Sequence, residues 1–522
     1  MSSPIKPKPT TSESDKFLIF WASFLSLGAC GFGFAYRVMV CFGTWGPEFN
    51  LTGQEAGNIF GASLWPIAIT MILGSLIIDR IGHKLALYGA LVLQVISVLM
   101  TWKATTAGQL YWASFAAGLG HGFIEAAINP VCATMYPNQK TKMLAILHAS
   151  WPFGLVVGGS LMLLPGLEDL HWNQSCFWML IPVALYGLML IKPKFPIDER
   201  VAANVPYRDM LSEIGFLGAF LASFLMFYEL FRVFSGTEPT WLLWASLGFG
   251  VFIGALFGGY TRSLGRPLYF FLCLLMIPLA TTELGTDAWI KELMEPSMGA
   301  MAGWAIVLSA FIMMILRFQA GLLTSRFSPP TILVISSFFS LMGLLVLSYV
   351  SGPLVILAFV LYAIGQTFYW PTVLGFASEQ YPRGGALTLN TVSAIGLLSV
   401  GIIGTPIMGA FHDYHVRDNV AKVSQSITDG AAKDGSFFGA TYASIDKEKA
   451  AELAKAEGKE KAFEDAKLAA SSDALRTTAF AFPLVMLVCF GLIAIYFRAT
   501  GGYKPVELLA ADGKPIKNAG AH

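Results

Sequence analysis

Charge is what this chain has least of. Only 13% of its 522 residues are Asp, Glu, Lys or Arg, about half the share found in soluble domains. That leaves too little polar surface to keep a soluble fold of this size in water. No basic excess is present either, since net charge is +1, so nothing points to nucleic acid as a partner. Histidine is scarce, at seven residues, with no His-x-x-x-His pair. There is no phosphate-binding Gly-x-x-x-x-Gly-Lys-Ser/Thr loop. The six cysteines, Cys30, Cys41, Cys132, Cys176, Cys273 and Cys489, all fall inside apolar runs. There they behave as small hydrophobes, so neither a disulfide framework nor a metal site is expected. These absences speak against an enzyme. The first 16 residues carry Pro4, Pro7 and Pro9 and no small-residue cleavage site, which reads as a solvated tail rather than a signal peptide.

Long apolar runs are what the chain does have. A helix needs about 20 apolar residues to cross a bilayer. Such runs occur at 17–45, 55–78, 85–102, 109–136, 143–166 and 174–191, then at 213–234 and 241–260. A last set lies at 267–286, 299–318, 331–349, 353–379, 385–410 and 477–497. The expected fold is therefore an all-α polytopic membrane protein with about fourteen transmembrane helices. Cytoplasmic loops collect Lys and Arg. With the N-terminus inside, 20 of the 34 basic residues fall in inner segments, whereas the short outer loops hold only Lys103 and Lys291. Removing one helix would invert every later loop and spoil this asymmetry. Both termini are thus expected on the cytoplasmic side of a plasma (inner) membrane.

An internal repeat divides the runs into sets. Gly120-His-Gly-Phe123 leading to Tyr136-Pro137 matches Gly365-Gln-Thr-Phe368 leading to Tyr381-Pro382, in the fourth helix of each six-helix set. Ser75-Leu-Ile-Ile-Asp79-Arg80-Ile-Gly82-His83-Lys84 matches Gly321-Leu-Leu-Thr-Ser325-Arg326-Phe327 after the second helix. The expected organisation is a cytoplasmic tail (1–16), a six-helix bundle (17–192), and a linker with two added helices (193–266). A second six-helix bundle (267–410 and 477–497) and a cytoplasmic tail (498–522) complete it. Segment 411–476 interrupts the second bundle with ten basic and twelve acidic residues. It reads as a polar, extracytoplasmic helical hairpin, with Glu457–Lys461 as one of its i,i+4 pairs. A docking surface is the alternative.

Two six-helix halves related by a parallel repeat resemble the architecture of the major facilitator superfamily, whose site lies at mid-membrane between the halves. The loop at Asp79-Arg80 resembles that family's Gly-x-x-x-Asp-Arg-x-Gly-Arg-Lys signature, with Ser75 and His83 departing from it. The resemblance implies a cytoplasmic gate at Asp79 and Arg80, with Arg326 as the second-half counterpart. The stretch Gly122-Phe-Ile-Glu125-Ala-Ala-Ile-Asn129-Pro130, with Leu147-His148-Ala-Ser-Trp151-Pro152, is similar to the fourth and fifth helices of the fucose–galactose–glucose proton symporters. In those proteins the Glu takes part in proton coupling and sugar binding. They also carry an acidic residue in the first helix, where this sequence has only Arg37.

An ionisable group at mid-bilayer costs on the order of 3 kcal/mol on insertion scales, so each one needs a reason. His121, Glu125 and Asn129 are spaced i, i+4, i+8 and share one helix stripe. Facing a cavity, that stripe offers hydrogen bonds and a protonatable acid; facing a neighbouring helix, it is structural glue. His148 and Trp151 lie beside it in the fifth helix. Arg37 has three readings: a counter-charge for Glu125, a ligand for an anionic substrate, or a residue reaching the outer face. In the second half the candidates are Glu283, Gln366, Trp370 and Asn390, with Trp370 at the register position of Glu125 and bundle packing as its alternative role. Glu229 and Arg232 are expected to pair, and Glu379 to be structural. Pro66, Pro130, Pro152 and Pro371 are expected to break helices locally.

The function these residues suggest is alternating-access transport, as a monomer and without a cofactor, of a sugar or similar small polar solute coupled to protons. An antiporter or symporter for an organic anion or drug-like solute is the alternative, and a transporter-like sensor is a reading of another class.

Overall fold

The structure is a computed structural model that describes residues 11–51, 53–163, 170–236, 239–287, 304–350, 354–437 and 440–508. Parts of both expected tails (1–10 and 509–522), the outer-loop Lys291 and the start of the run 299–318 lie outside the described residues. Two compact units are distinguished: residues 1–213 with 374–390 and 505–522, and residues 214–373 with 391–504.

The first unit begins with α1 (Glu13–Val40). Ser12 caps it, accepting from Asp15 N at 3.0 Å, and Glu13 and Asp15 sit in the first turn, where the helix dipole favours acids. Next come α2 (Trp65–Ile81), α3 (His83–Trp102), α4 (Ala107–Met135), α5 (Lys140–Leu147), α6 (Ser150–Leu163) and α7 (Leu180–Met189). Helices α1 and α6 cross almost in backbone contact. A Cβ on Gly31 would lie 2.4 Å from Trp151 O, and one on Gly154 would lie 2.1 Å from Gly28 O. Small residues of this kind let membrane helices approach closely.

Proline acts as the sequence suggests at three of four places. The ring clashes with the carbonyl four residues earlier, and the helix is interrupted at Ala62–Leu64 before Pro66, at His148–Ala149 before Pro152, and at Thr367–Phe368 before Pro371. Pro130 does not break α4. Its freed acceptor, Ala126 O, instead receives Asn390 Nδ2 at 3.1 Å. The acceptor freed by Pro371, Thr367 O, receives Arg317 Nε at 2.7 Å. In each unit a side chain from another helix satisfies the carbonyl that a fourth-helix proline has orphaned.

The second unit takes up the chain inside α8 (Tyr207–Ser235), which kinks at Gly215 (φ 57°, ψ −155°). A Cβ there would lie 2.1 Å from Gly265 N, and Phe216 N donates to Ser263 O at 3.0 Å. Only glycine allows both the positive φ and the approach. The unit continues with α9 (Thr240–Thr261), α10 (Pro267–Ala280), α11 (Trp304–Phe318), α12 (Pro329–Leu347), α13 (Leu354–Gln366), α14 (Tyr369–Gln380, whose end belongs to the first unit), α15 (Gly385–Ser399, likewise at its start) and α16 (Thr405–Val423). Glu229 and Arg232 pair as expected, at 2.8 Å.

Eleven helices among the described residues are long and apolar enough to cross a membrane. The runs 109–136 and 174–191 are helical too, as α4 and as a composite ending in α7, the first more polar and the second shorter than those eleven; the described part of the run 299–318 is α11.

The segment 411–476 departs from expectation. It is not a hairpin polar on all sides. Strands β1 (Ala432–Phe437) and β2 (Ala440–Ile445) pair antiparallel between α16 and α17 (Lys447–Ala456), and α18 (Glu460–Ala479) returns the chain to α19 (Val485–Ala499). Val416, Val420, Ile427, Ala431, Ile445, Ala450, Ala454 and Phe463 form an apolar core of its own. The expected Glu457–Lys461 pair is absent because the helix stops before Gly458, which has φ 67°. Glu457 pairs with Lys459 at 2.8 Å instead. It also accepts from Ser424 and Ser426, and Lys459 with the two hydroxyls holds its carboxyl down at about 2.

Candidate functional site

Four expected residues do meet. On α4, Asn129 Nδ2 donates to Glu125 Oε2 at 2.7 Å and to Glu125 O at 3.2 Å. Its amide oxygen lies 2.9 Å from His148 Nε2. An amide that gives its N–H to a carboxylate turns its oxygen to the histidine, so His148 Nε2 is the donor. One turn back, His121 Nε2 lies 3.7 Å from Glu125 Oε1. His148 is available because the chain leaves α5 there, ahead of Pro152. Trp151, three residues on, stacks on His121 with ring centroids 5.2 Å apart and planes at 25°. All five side chains are buried or nearly so. The result is a carboxylate hydrogen-bonded to an amide, flanked by two imidazoles, with no Lys or Arg paired to it among the described residues.

Arg37 does not answer Glu125. It lies in α1, 3% exposed, and its donors go to neutral acceptors. Nη1 reaches Gly33 O at 3.1 Å, Nη2 reaches Ser97 Oγ at 2.9 Å and Nε reaches Ser114 Oγ at 3.4 Å. It makes no ion pair among the described residues, so the counter-charge reading is corrected. Burial at this depth also excludes a side chain that reaches out to an interface.

The second unit holds the opposite arrangement. Glu283 sits in a five-residue π turn, Thr281–Gly285, that continues α10; π turns recur at functional sites. Its Oε1 takes Arg317 Nη2 at 2.7 Å, and Oε2 accepts from Trp370 N at 3.2 Å. Gln366 Nε2 bonds Ser309 Oγ at 2.7 Å and Asp287 Oδ1 at 3.2 Å. The Trp370 ring packs on Gly396, where a Cβ would lie 3.0 Å away. Arg317 and Asp287 are additions to the expected set. Arg317 stands at the end of the run 299–318, where the sequence reading counts it among the inner basic residues. It is 2% exposed, and the rule applied to Arg37, that a charge inside an apolar run needs a reason, would have found it.

Residues 17–405 match the sequence profile of the Major Facilitator Superfamily. The chain belongs to that superfamily. Two curated relatives align over part of their length. A gentisate transporter of Corynebacterium glutamicum is 24% identical over 168 residues, which is 31% of this chain and 37% of that one. A cis,cis-muconate transport protein of Acinetobacter baylyi is 32% identical over 153 residues, 27% of this chain and 34% of that one. The alignments thus span about a third of each relative. Among solved structures, the proton:xylose symporter superposes with TM-score 0.59 at 14% identity, covering 96% of this chain and 98% of that one. The fucose transporter of the superfamily, in an outward conformation, gives 0.52 at 16%, covering 90% and 98%. The human organic anion transporter gives 0.54 at 11%, covering 91% and 99%. These structural likenesses show the fold.

At the loop that resembles the superfamily's signature, Asp79 pairs with Arg200 Nη2; Arg80 is exposed, and so is Arg326. Arg200 also donates to Val205 O at 2.7 Å. Within the same unit Lys140 pairs with Glu199 at 2.6 Å and reaches Ser378 O at 3.3 Å, while Thr141 Oγ1 donates to Glu379 at 2.6 Å. Arg383 pairs with Asp209 at 2.7 Å. Asn390 belongs here as well, donating to Ser75 Oγ at 2.8 Å besides capping Ala126 O, so its amide nitrogen is committed to helix packing. The structure gives Ser75, the departure from the signature glycine, a partner.

Asp198 lies in this cluster, 6% exposed, as N-cap of a short helix. Burial, then the nearby Asp79 charge, pushes its carboxyl up to about 6. A carboxyl raised on folding contributes stability fully below its ordinary value near 4, and that contribution is lost as pH rises through about 6. The melting temperature should therefore carry a component that falls between about pH 4 and pH 6. Asp198→Asn should flatten that component, by an amount on the order of 1–2 kcal/mol. Thermal melts of both proteins across this range check it, and parallel curves contradict it.

Proposed function

We propose that the chain is a proton-coupled secondary transporter of a small polar solute, working by alternating access with Glu125 as the proton-carrying group. The observation that carries this reading is the buried Glu125–Asn129–His148 chain with His121 alongside. A carboxylate in the membrane with no paired cation needs a use, and hydrogen bonds that suit its anionic form hold it ready to take a proton. His121 and His148 are the groups through which that proton passes. Fourteen spans, two six-helix halves with two added helices, both termini on the cytoplasmic face of the plasma membrane, and the Asp79–Arg200 cluster as inner gate complete the proposal.

Two solute classes stand beside it. Sugars are favoured by the resemblance of the fourth helix to the fucose–galactose–glucose symporters. Organic acids are favoured by the sequence relatives, which carry gentisate and cis,cis-muconate, and by the unpaired Arg37. Of the two we adopt organic acids. The test is proton entry into proteoliposomes loaded with a pH-sensitive dye as labelled acids and hexoses are added outside. Solute-dependent acidification supports the reading, and solute uptake without proton entry sinks it.

A further inference from the structure

We infer that the Arg37 cavity of the first unit is a carboxylate-binding subsite, and that the solute it serves is a small acid with a flat, unsaturated body. The inference rests on the transport reading above and adds the ligand chemistry. Arg37 is the chemical anomaly of the unit: a guanidinium buried to 3% exposure with three neutral acceptors and no carboxylate among the described residues. A guanidinium has five N–H donors. Three are used, leaving one on each terminal nitrogen, and those two nitrogens form the fork that suits a carboxylate. A buried charge lacking its partner is a costly arrangement, and a bound anion removes the cost.

The side chain also lines a cavity of about 40 Å³. At about 10–15 Å³ of such space per water that is room for roughly three waters, and far below the ≈ 300 Å³ of a pocket for a whole ligand. It is room for a carboxylate head group. Its walls combine polar Ser97 and Gln94 with the rings of Phe34, Trp151 and His121. Those rings form a ladder, Phe34 to Trp151 at 5.3 Å and Trp151 to His121 at 5.2 Å, against which a planar body packs well. His121 also faces Glu125, so the proposed anion subsite and the proton-carrying group share a side chain. Gly33 keeps the floor open, because a Cβ there would lie 3.3 Å from Arg37 Nη1.

The experiment is equilibrium binding of radiolabelled benzoate to purified protein in detergent, with benzamide as neutral isostere. Wild type should bind benzoate at least tenfold more tightly than benzamide. Arg37→Gln should lose tenfold or more for benzoate and little for benzamide. Arg37→Lys keeps the charge but not the fork, should fall between, and serves if the glutamine variant does not fold. Equal benzoate binding by wild type and Arg37→Gln overturns the subsite, as does equal binding of benzoate and benzamide. So does absence of benzoate binding in protein that still couples another solute to protons. Arg37-dependent benzoate binding in protein that moves no protons with any solute would uphold the subsite and sink the transport reading.

Discussion

Glu125→Gln should abolish proton-driven accumulation while sparing exchange. Glutamine keeps the size of the side chain and an acceptor for Asn129 Nδ2, which lies 2.7 Å from the native carboxylate. It has no titratable proton. At one proton per solute, an inward gradient of two pH units supports about 100-fold accumulation, since each tenfold ratio is about 1.4 kcal/mol. In the variant the ratio should fall to near one whatever the gradient. Labelled-solute exchange between equal pools, which needs no net proton movement, should stay within a few-fold of wild type. Asn129→Leu would be a weaker and less specific lesion, because it removes both the donor to Glu125 and the acceptor for His148. A Glu125→Gln protein that accumulates solute like wild type would reduce the residue to a link between neighbouring side chains.

The second large effect belongs to stability. Arg317→Met should destabilise severely, by about 3–5 kcal/mol, because breaking a buried ion pair strands the other charge. Here it strands two groups: Glu283 loses its 2.7 Å partner, and Thr367 O, already freed by Pro371, loses its donor. Glu283→Gln with Arg317→Met together should recover a large part of the loss, since swapping both partners of a buried pair is often nearly neutral. Thr367 O remains orphaned in the double variant, so recovery should be incomplete. Thermal melts of the three proteins in detergent give the coupling directly. Two mild single variants whose effects simply add would contradict the pairing.

What the sequence makes legible differs by element. The helices announce themselves through apolar runs, and three of the four prolines act where their ring chemistry places them. The Glu125–Asn129 bond follows from i,i+4 geometry, as does the Glu229–Arg232 pair from i,i+3. Contacts between distant segments do not follow. Arg200 is 121 positions from Asp79, in a four-residue helix too short to show periodicity. Asn390 looked like a ligand because a buried amide on an apolar helix needs partners. Those partners are Ser75 and Ala126 O, visible only once the helices are packed. Half of the core of the segment 411–476 is alanine spread among charges, too weak a pattern to separate from a solvated helix. Arg37 was left with three readings by the sequence. Only its hydrogen bonds show that no described carboxylate answers it.

The central claim, that solute movement is tied to a proton carried by Glu125, is tested most directly in proteoliposomes by the solute accumulation ratio as the imposed pH gradient is stepped. The account predicts a ratio that climbs about tenfold per pH unit in the wild type and stays near one in Glu125→Gln. A ratio that ignores the gradient in the wild type, or climbs equally in both proteins, would contradict it.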